Sequence, residues 1–457
     1  MSDDTGLFAA VLARGAVADV VSDPGWLAAM LDVEAALARA GAAAGLIPPA
    51  AAEAIEVACR SGEFDAAALG EQAAASGNPV VPLVRALTRA VPPDATGYVH
   101  LGATSQDILD SAAMLVAHRA LGHMEADLDA TTDSLARLAD EHRITLLPGR
   151  TLLQHALPVT FGLIAAGWLS GLAAAATRLG QIRRTRLAVQ LGGAASTLAS
   201  LGNDGPKVTA LLAAELGLAD PILPWHTDRT RVGELAGGLG VAAGAIAKIA
   251  KDIVLLAQTE VAEVSERGPE GSGGSSTLPQ KHNPIAAICV GANARQAPGL
   301  VATLLAAMDH EHQRAAGAWH AEWRPLSELL RATGSAAAWL RESLDRLEVD
   351  RARMRANLDL LGDLLLAERV SNVLARHLGR AAAHEVVVSA CAEAAESGHA
   401  LAQLVADRVA AARPDLRDVF TAEELNNLLE PADYLGSSQV FIDRALQVYR
   451  SRDRDRP

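Results

Sequence analysis

Between Gly233 and Val264 the apolar residues Leu235, Leu239, Ile246, Ile249, Ile253, Leu256 and Val264 recur at steps near three, four or seven. Such spacing gathers side chains onto one stripe of a helix and does not fit the two-residue alternation of a half-buried strand. The rest of the chain supports the same reading. Half of its 457 residues are hydrophobic but only 3% are aromatic, so the core must be filled by Ala, Leu and Val. Ala and Leu are strong helix formers, and no sustained alternation of β-branched or aromatic residues argues for strands. The expectation is an all-α chain. Helices this long and apolar cannot all be covered within one subunit, which predicts a homo-oligomeric bundle.

Punctuation along the chain suggests three helical domains. The first clear helix opens at "SDPGWLAAM", where Ser22 or Asp23 caps, Pro24 sits in the first turn and Leu27, Met30, Leu31 and Leu37 mark one face. It closes near "GLIPP". A Pro, Gly and Asp cluster, "VPPDATGYVHLGATSQD", reads as a boundary, giving an N-terminal domain over 1–103. A central long-helix bundle follows over 104–347. The charge-richer tail beginning near "LDRLEVDRARMRANLD" forms a smaller helical domain over 348–457.

The formal net charge of -14 speaks against nonspecific binding to nucleic acid or to an anionic membrane. Three scattered cysteines, Cys59, Cys289 and Cys391, lack metal spacing and an even count, so they read as small buried hydrophobes in a reducing cytoplasm. The acidic start "MSDDTG" is not the basic opening of a secretory signal. The uncharged run from Ala156 to Ala176 has spanning length, but its Ala and Gly content reads as a helix buried in a bundle rather than a membrane span.

One stretch breaks this helical grammar: "SGGSSTLPQKHNP", Ser272 to Pro284. Gly271, Gly273 and Gly274 open backbone conformations closed to other residues, while Pro279 and Pro284 end any helix. By composition alone the stretch serves as a flexible linker. It also resembles the signature loop of the fumarase/aspartase superfamily, Gly-Ser-Ser, two variable positions, Pro, one variable position, Lys, one variable position, Asn. Every fixed position is met, by Gly274, Ser275, Ser276, Pro279, Lys281 and Asn283 over a loop spanning 271–284. "LGATSQDILDS", Leu101 to Ser111, reads as a helix cap and resembles the superfamily's first signature region, where a Thr-Ser pair, here Thr104 and Ser105, binds a substrate carboxylate. "PGRTLLQHALPVTFG", Pro148 to Gly162, resembles the second, and sets Thr151 and Gln154 at positions that reach a carboxylate.

The resemblance implies a homotetramer with shared active sites, and a reaction passing through a carbanion delocalised into a carboxylate. Ser275 and Lys281 are its catalytic candidates, and Ser276 and Asn283 further binding candidates. The second region departs from the pattern: where Gly-Arg-Thr is normally followed by a histidine acid, this chain has Leu152. A departing amine or hydroxide needs that acid, whereas a substrate carboxylate attacking its own double bond is already ionised. Leu152 therefore favours the lactonising branch, the 3-carboxy-cis,cis-muconate cycloisomerases, which "AMLDVEAALARA", "RAAGAWHAEWRPL" and the tail also resemble.

The alternatives are a β-eliminating lyase acting on a substituted succinate, of the adenylosuccinate type or with an unaided leaving group as in nitrosuccinate, and a noncatalytic helical scaffold. His155 and His320 are weaker contact candidates, each with a packing role to weigh against it. His320 sits with Trp319 and Trp323 in an aromatic patch with Glu322 at its edge. Arg150, Arg295 and Arg324 offer charge for a polycarboxylate or for surface ion pairs. Neither metal-ligand spacing nor a dinucleotide fingerprint suggests a cofactor.

Overall fold

The computed structural model describes residues 6–268, 273–274, 277–278 and 280–454. Its principal elements are α1 (Asp23–Ala44), α2 (Ser105–Glu141), the hairpin β1 (Leu146–Thr151) and β2 (Gln154–Thr160), and α3 (Phe161–Thr185). There follow α4 (Thr230–Leu256), β3 (Val264–Glu266), α5 (Ala318–Asp345), β4 (Leu347–Val349) and the tail helices α6 (Ala367–Leu378), α7 (Arg380–Ser397) and α8 (Leu401–Ala412). The all-α expectation holds for the architecture, with two short antiparallel pairs, β1 with β2 and β3 with β4, added to it.

Local rules account for the helix ends. The Ser22 hydroxyl accepts the Gly25 amide at 3.2 Å to cap α1, and Gly45 closes it in a left-handed conformation at φ 88. In α4, Leu235, Leu239, Ile246, Ile249 and Ile253 are all buried, as their spacing requires. Val264 is not part of that helix. It pairs with Val349 across β3 and β4, because the helix ends at Leu256 and a step of eight residues mimics two further turns. The run from Ala156 to Ala176 is likewise corrected. Residues up to Thr160 form β2, and α3 begins at Phe161, where the Thr160 hydroxyl accepts the Leu163 amide at 3.2 Å. Among the described residues α3 is the one helix long and apolar enough to cross a membrane, and over half of its most apolar window is buried.

Contacts divide the chain into two compact units. The first comprises 1–131, 172–252 and 284–345, the second 132–171, 253–283 and 346–457. Three of the divisions fall inside α2, α3 and α4. In the first unit the scarcity of aromatic residues is met by close helix approach: a Cβ on Gly238 would lie 2.4 Å from Ile182 of α3, and one on Gly334 would lie 2.7 Å from Val17. The helix Ile285–Ala294 packs along α5, and the helix Gly205–Leu216 packs along α1. In the second unit α6, α7 and α8 enclose a core that includes Val370, Leu374, Val405, Val409, Phe420 and Leu425.

Cys59 and Cys289 are buried and Cys391 is half-buried, all three as free thiols. Burial, reinforced by the carboxylates of Glu34, Asp32 and Glu56, pushes the Cys59 thiol up to about 12, which makes it a packing group rather than a nucleophile.

Candidate active site

Thr104 and Ser105 stand at the start of α2, and their backbone is fixed by a carboxylate from the next turn. Asp107, fully buried, accepts the Thr104 amide at 2.9 Å in the manner of a capping box. Its two oxygens also accept the amides of Gly192 and Gly193 at 2.9 Å each, and its Oδ1 lies 2.7 Å from Nε2 of His226. A carboxylate with this many donors needs no further partner. The helix start is thus tied to the Gly192–Gly193 turn and to the segment at His226, with its own half-buried hydroxyls engaged by no other described residue.

One turn further along α2, Asp110 belongs to a buried ion network. Arg229 donates to Asp110 at 2.8 and 3.0 Å and to Glu322 at 2.9 Å, and the Trp319 indole donates to Asp110 at 3.0 Å. Burial works against the Arg229 charge, but the two carboxylates outweigh it and raise its pKa. Glu322 therefore does not sit at the edge of an aromatic patch. It is buried beneath it as a counter-ion. His320 stays exposed, packs against Trp323 with ring centres 4.7 Å apart and planes tilted by 45°, and lies with Nε2 3.0 Å from the Gly77 carbonyl. That bond gives it a structural partner.

His100, which the sequence reading passed over, belongs to the same unit. Its Nδ1 is 2.6 Å from Oε1 of buried Glu34. Burial opposes a charge on the ring, but Glu34 raises the pKa by charge and hydrogen bond together. The pairing favours the protonated form of the ring, four residues before Thr104.

The other candidates lie in the second unit. Thr151 and Gln154 pair across the mouth of the β1–β2 hairpin, so its loop consists of Leu152 and Leu153 alone. Both leucines have positive φ, 51 and 65, and Leu152 is 97% exposed. Positive φ at both loop positions fits a tight hairpin but normally recruits Asn-Gly rather than leucine. His155 pairs with Arg150 across the strands and is half-buried. Burial, then the Arg150 charge, lowers its pKa against a smaller opposing effect of Glu263, so the ring is neutral at pH 7. Arg150 itself is committed. It clamps buried Glu263 with bonds of 2.8 and 2.7 Å, and Asn357 donates to the same carboxylate at 2.8 Å. It is a brace for the hairpin rather than a carboxylate receptor.

Ser275 and Ser276 lie outside the described residues. The base of their loop is described: the backbone amide and the side-chain amide of Asn283 both donate to the Gly273 carbonyl, at 2.9 and 3.0 Å. Gly273 has φ 74, and a Cβ there would come 2.7 Å from the Asn283 carbonyl, so glycine is required. Lys281 is exposed. Among the described residues no group of three or more His, Cys, Asp or Glu side chains is placed to hold a metal ion.

The model of the lyase family matches residues 13–299, and that of the adenylosuccinate lyase C-terminus matches 363–445. The chain belongs to this lyase family, the fumarase/aspartase superfamily whose signature loop it carries. Within it, the chain is 46% identical to the 3-carboxy-cis,cis-muconate cycloisomerase of Pseudomonas aeruginosa, over 97% of this chain and 96% of that one. It is 45% identical to the nitrosuccinate lyase of Streptomyces davaonensis, over 97% and 94%. The crystal structure of the 3-carboxy-cis,cis-muconate lactonizing enzyme from Pseudomonas putida superposes with a TM-score of 0.89 at 43% identity, covering 97% of this chain and 99% of that one.

Proposed function

We propose that the chain is a 3-carboxy-cis,cis-muconate cycloisomerase, closing a tricarboxylate diene to 4-carboxymuconolactone in the catabolism of aromatic acids. The observation that carries this reading is the hairpin tip. Between Thr151 and Gln154 it presents only Leu152 and Leu153, with no group able to protonate a leaving amine or hydroxide. Intramolecular attack by a carboxylate needs no such acid.

In the proposed step one substrate carboxylate adds across the conjugated double bond, and Ser275 delivers a proton to the adjacent carbon and recovers one from solvent. Lys281 supplies positive charge to the developing enediolate, where preorganised charge lowers the barrier most. Asn283 contributes its second amide hydrogen, the first being bonded to Gly273. Thr104, Ser105, Thr151, Gln154 and Ser276 position the remaining carboxylates, and His155 and His320 are the weaker contact candidates, His320 being bonded to the Gly77 carbonyl. The working form is a homotetramer with shared sites, in which a second copy covers the exposed leucines. Free thiols support a cytoplasmic location.

A second reading is favoured by the nitrosuccinate lyase relative: β-elimination from a substituted succinate whose leaving group departs as a stable anion. The same tip suits it. The test is the loss of diene ultraviolet absorbance with 3-carboxy-cis,cis-muconate, run beside nitrosuccinate and adenylosuccinate. Turnover of the first alone is expected. Turnover of nitrosuccinate alone would replace the cycloisomerase by the second reading, and turnover of adenylosuccinate would overturn the argument from Leu152. Ser275→Ala is expected to abolish most turnover while retaining binding.

A further inference from the structure

The turn that Asp107 holds in place, "GGAAS" from Gly192 to Ser196, ends in a serine with φ 64 and ψ 23. Glycine adopts this left-handed conformation freely, whereas a serine is strained in it. Its hydroxyl is committed to one geometry. Oγ lies 2.9 Å from Nδ1 of His226, and the other ring nitrogen, Nε2, lies 2.7 Å from Oδ1 of Asp107. His226 and Asp107 are buried, and Ser196 is half-exposed.

The partners assign the tautomer. Asp107 accepts the proton on Nε2, so Nδ1 turns a lone pair toward the serine hydroxyl. A nucleophile, a base within hydrogen-bond reach and a third group that orients the base are the elements of an acyl-transfer centre. The ring is turned end for end relative to the serine protease arrangement, with Nδ1 rather than Nε2 facing the hydroxyl, but either nitrogen accepts a proton. A positive charge flanks the turn. The Arg314 guanidinium donates to the carbonyls of Gly193 and Ala194 at 3.2 and 3.0 Å and to Oε1 of Gln106 at 3.2 Å. These bonds fix the turn that carries Ser196. The half-exposed hydroxyl therefore meets the buried ring from a backbone conformation that glycine adopts more readily.

We propose that Ser196, His226 and Asp107 form an acyl-transfer centre for small carboxylic esters, using none of the residues assigned to the lyase reaction. Ser196 Oγ bonds to the ester carbonyl carbon as its proton passes to His226 Nδ1. The carbon–alkoxy bond breaks, and the alcohol leaves with that proton. Water then attacks the acyl-serine, gives a proton to Nδ1, and releases the acid as Oγ is reprotonated. No oxidant or further reactant is needed.

The test combines p-nitrophenyl acetate hydrolysis with labelling of the full-length protein by a fluorophosphonate probe and peptide mass spectrometry. The expected result is an adduct on Ser196 and a loss of hydrolysis of roughly a hundredfold in Ser196→Gly. That variant suits the observed φ, which offsets the lost bond to His226, and a melting curve that shows it folded excludes a folding defect as the cause of its inactivity. His226→Gln, checked for folding by its melting curve, is expected to label far more slowly. No adduct at Ser196 in the folded parent, hydrolysis at the parental rate in Ser196→Gly, or undiminished labelling of a folded His226→Gln would each overturn the proposal.

Discussion

The start of α2 and the tip of the β1–β2 hairpin offer similar short polar side chains, yet their supports differ in kind. At Thr104 and Ser105 the backbone is held by a buried carboxylate with four donors, and the next turn rests on the Arg229 network. At Thr151 and Gln154 the strands are braced behind by Arg150 and Glu263, but the loop beyond them holds two exposed leucines at positive φ. The first region is complete within its own unit. In the second, strain and apolar exposure persist together, which are costs that a covering surface can offset. Rigid preorganisation and an open, exposed edge are two ways of presenting similar hydrogen-bonding groups.

The largest effect should come from removing the support of the rigid region. Arg229→Ala leaves Asp110 and Glu322 buried without their cation, and a loss of about 3–5 kcal/mol is expected from the denaturant midpoint. A change under about 1 kcal/mol would mean that water or rearrangement satisfies the carboxylates, and that the contrast between the regions is overstated. At the hairpin the sign reverses. Replacing Leu152 by Asn and Leu153 by Gly relieves positive φ at two positions and is expected to raise the stability of the dissociated chain by roughly 1–2 kcal/mol. If a second copy covers the leucines, the same double change lowers the oligomer's dissociation midpoint in analytical ultracentrifugation. An unchanged midpoint would remove the covering role.

How much of this was legible in the sequence follows from the range of each interaction. The stripe on α4 and the cap of α1 depend on residues within a few turns, so spacing and residue type sufficed. The signature loop was legible as a pattern of residue types, although its serines lie outside the described residues. The β1–β2 hairpin was not. It has no Asn-Gly turn, it sets Pro148 opposite Pro158, and its brace to Glu263 spans 113 residues. The role of Asp107 was half-legible: Thr104 followed three residues later by an acid is a capping-box pattern, but its contact with His226 spans 119 residues. Arg150 illustrates the general difficulty. Sequence shows a cation beside a signature motif, and only the fold shows that a buried glutamate already holds it.

The loop base provides an intermediate case. Asn283→Ala removes the side-chain bond to the Gly273 carbonyl but leaves the backbone bond, so a loss of about 1 kcal/mol is expected. If Asn283 also meets substrate, kcat falls by much more than this stability change would suggest, and steady-state kinetics separates the two roles.

The smallest effect is a pH dependence within the rigid region. Burial disfavours a charged His100, but Glu34 outweighs it, so the folded-state pKa stands above the ordinary 6.5. The protonated ring is therefore bound more tightly in the folded state, and its stabilisation is complete below about 6.5 and lost as pH rises through the raised value. Melting temperature is expected to decline across that window, and Glu34→Gln should flatten the decline by removing the charge that raises the pKa. A slope that survives this substitution would assign the dependence to another group.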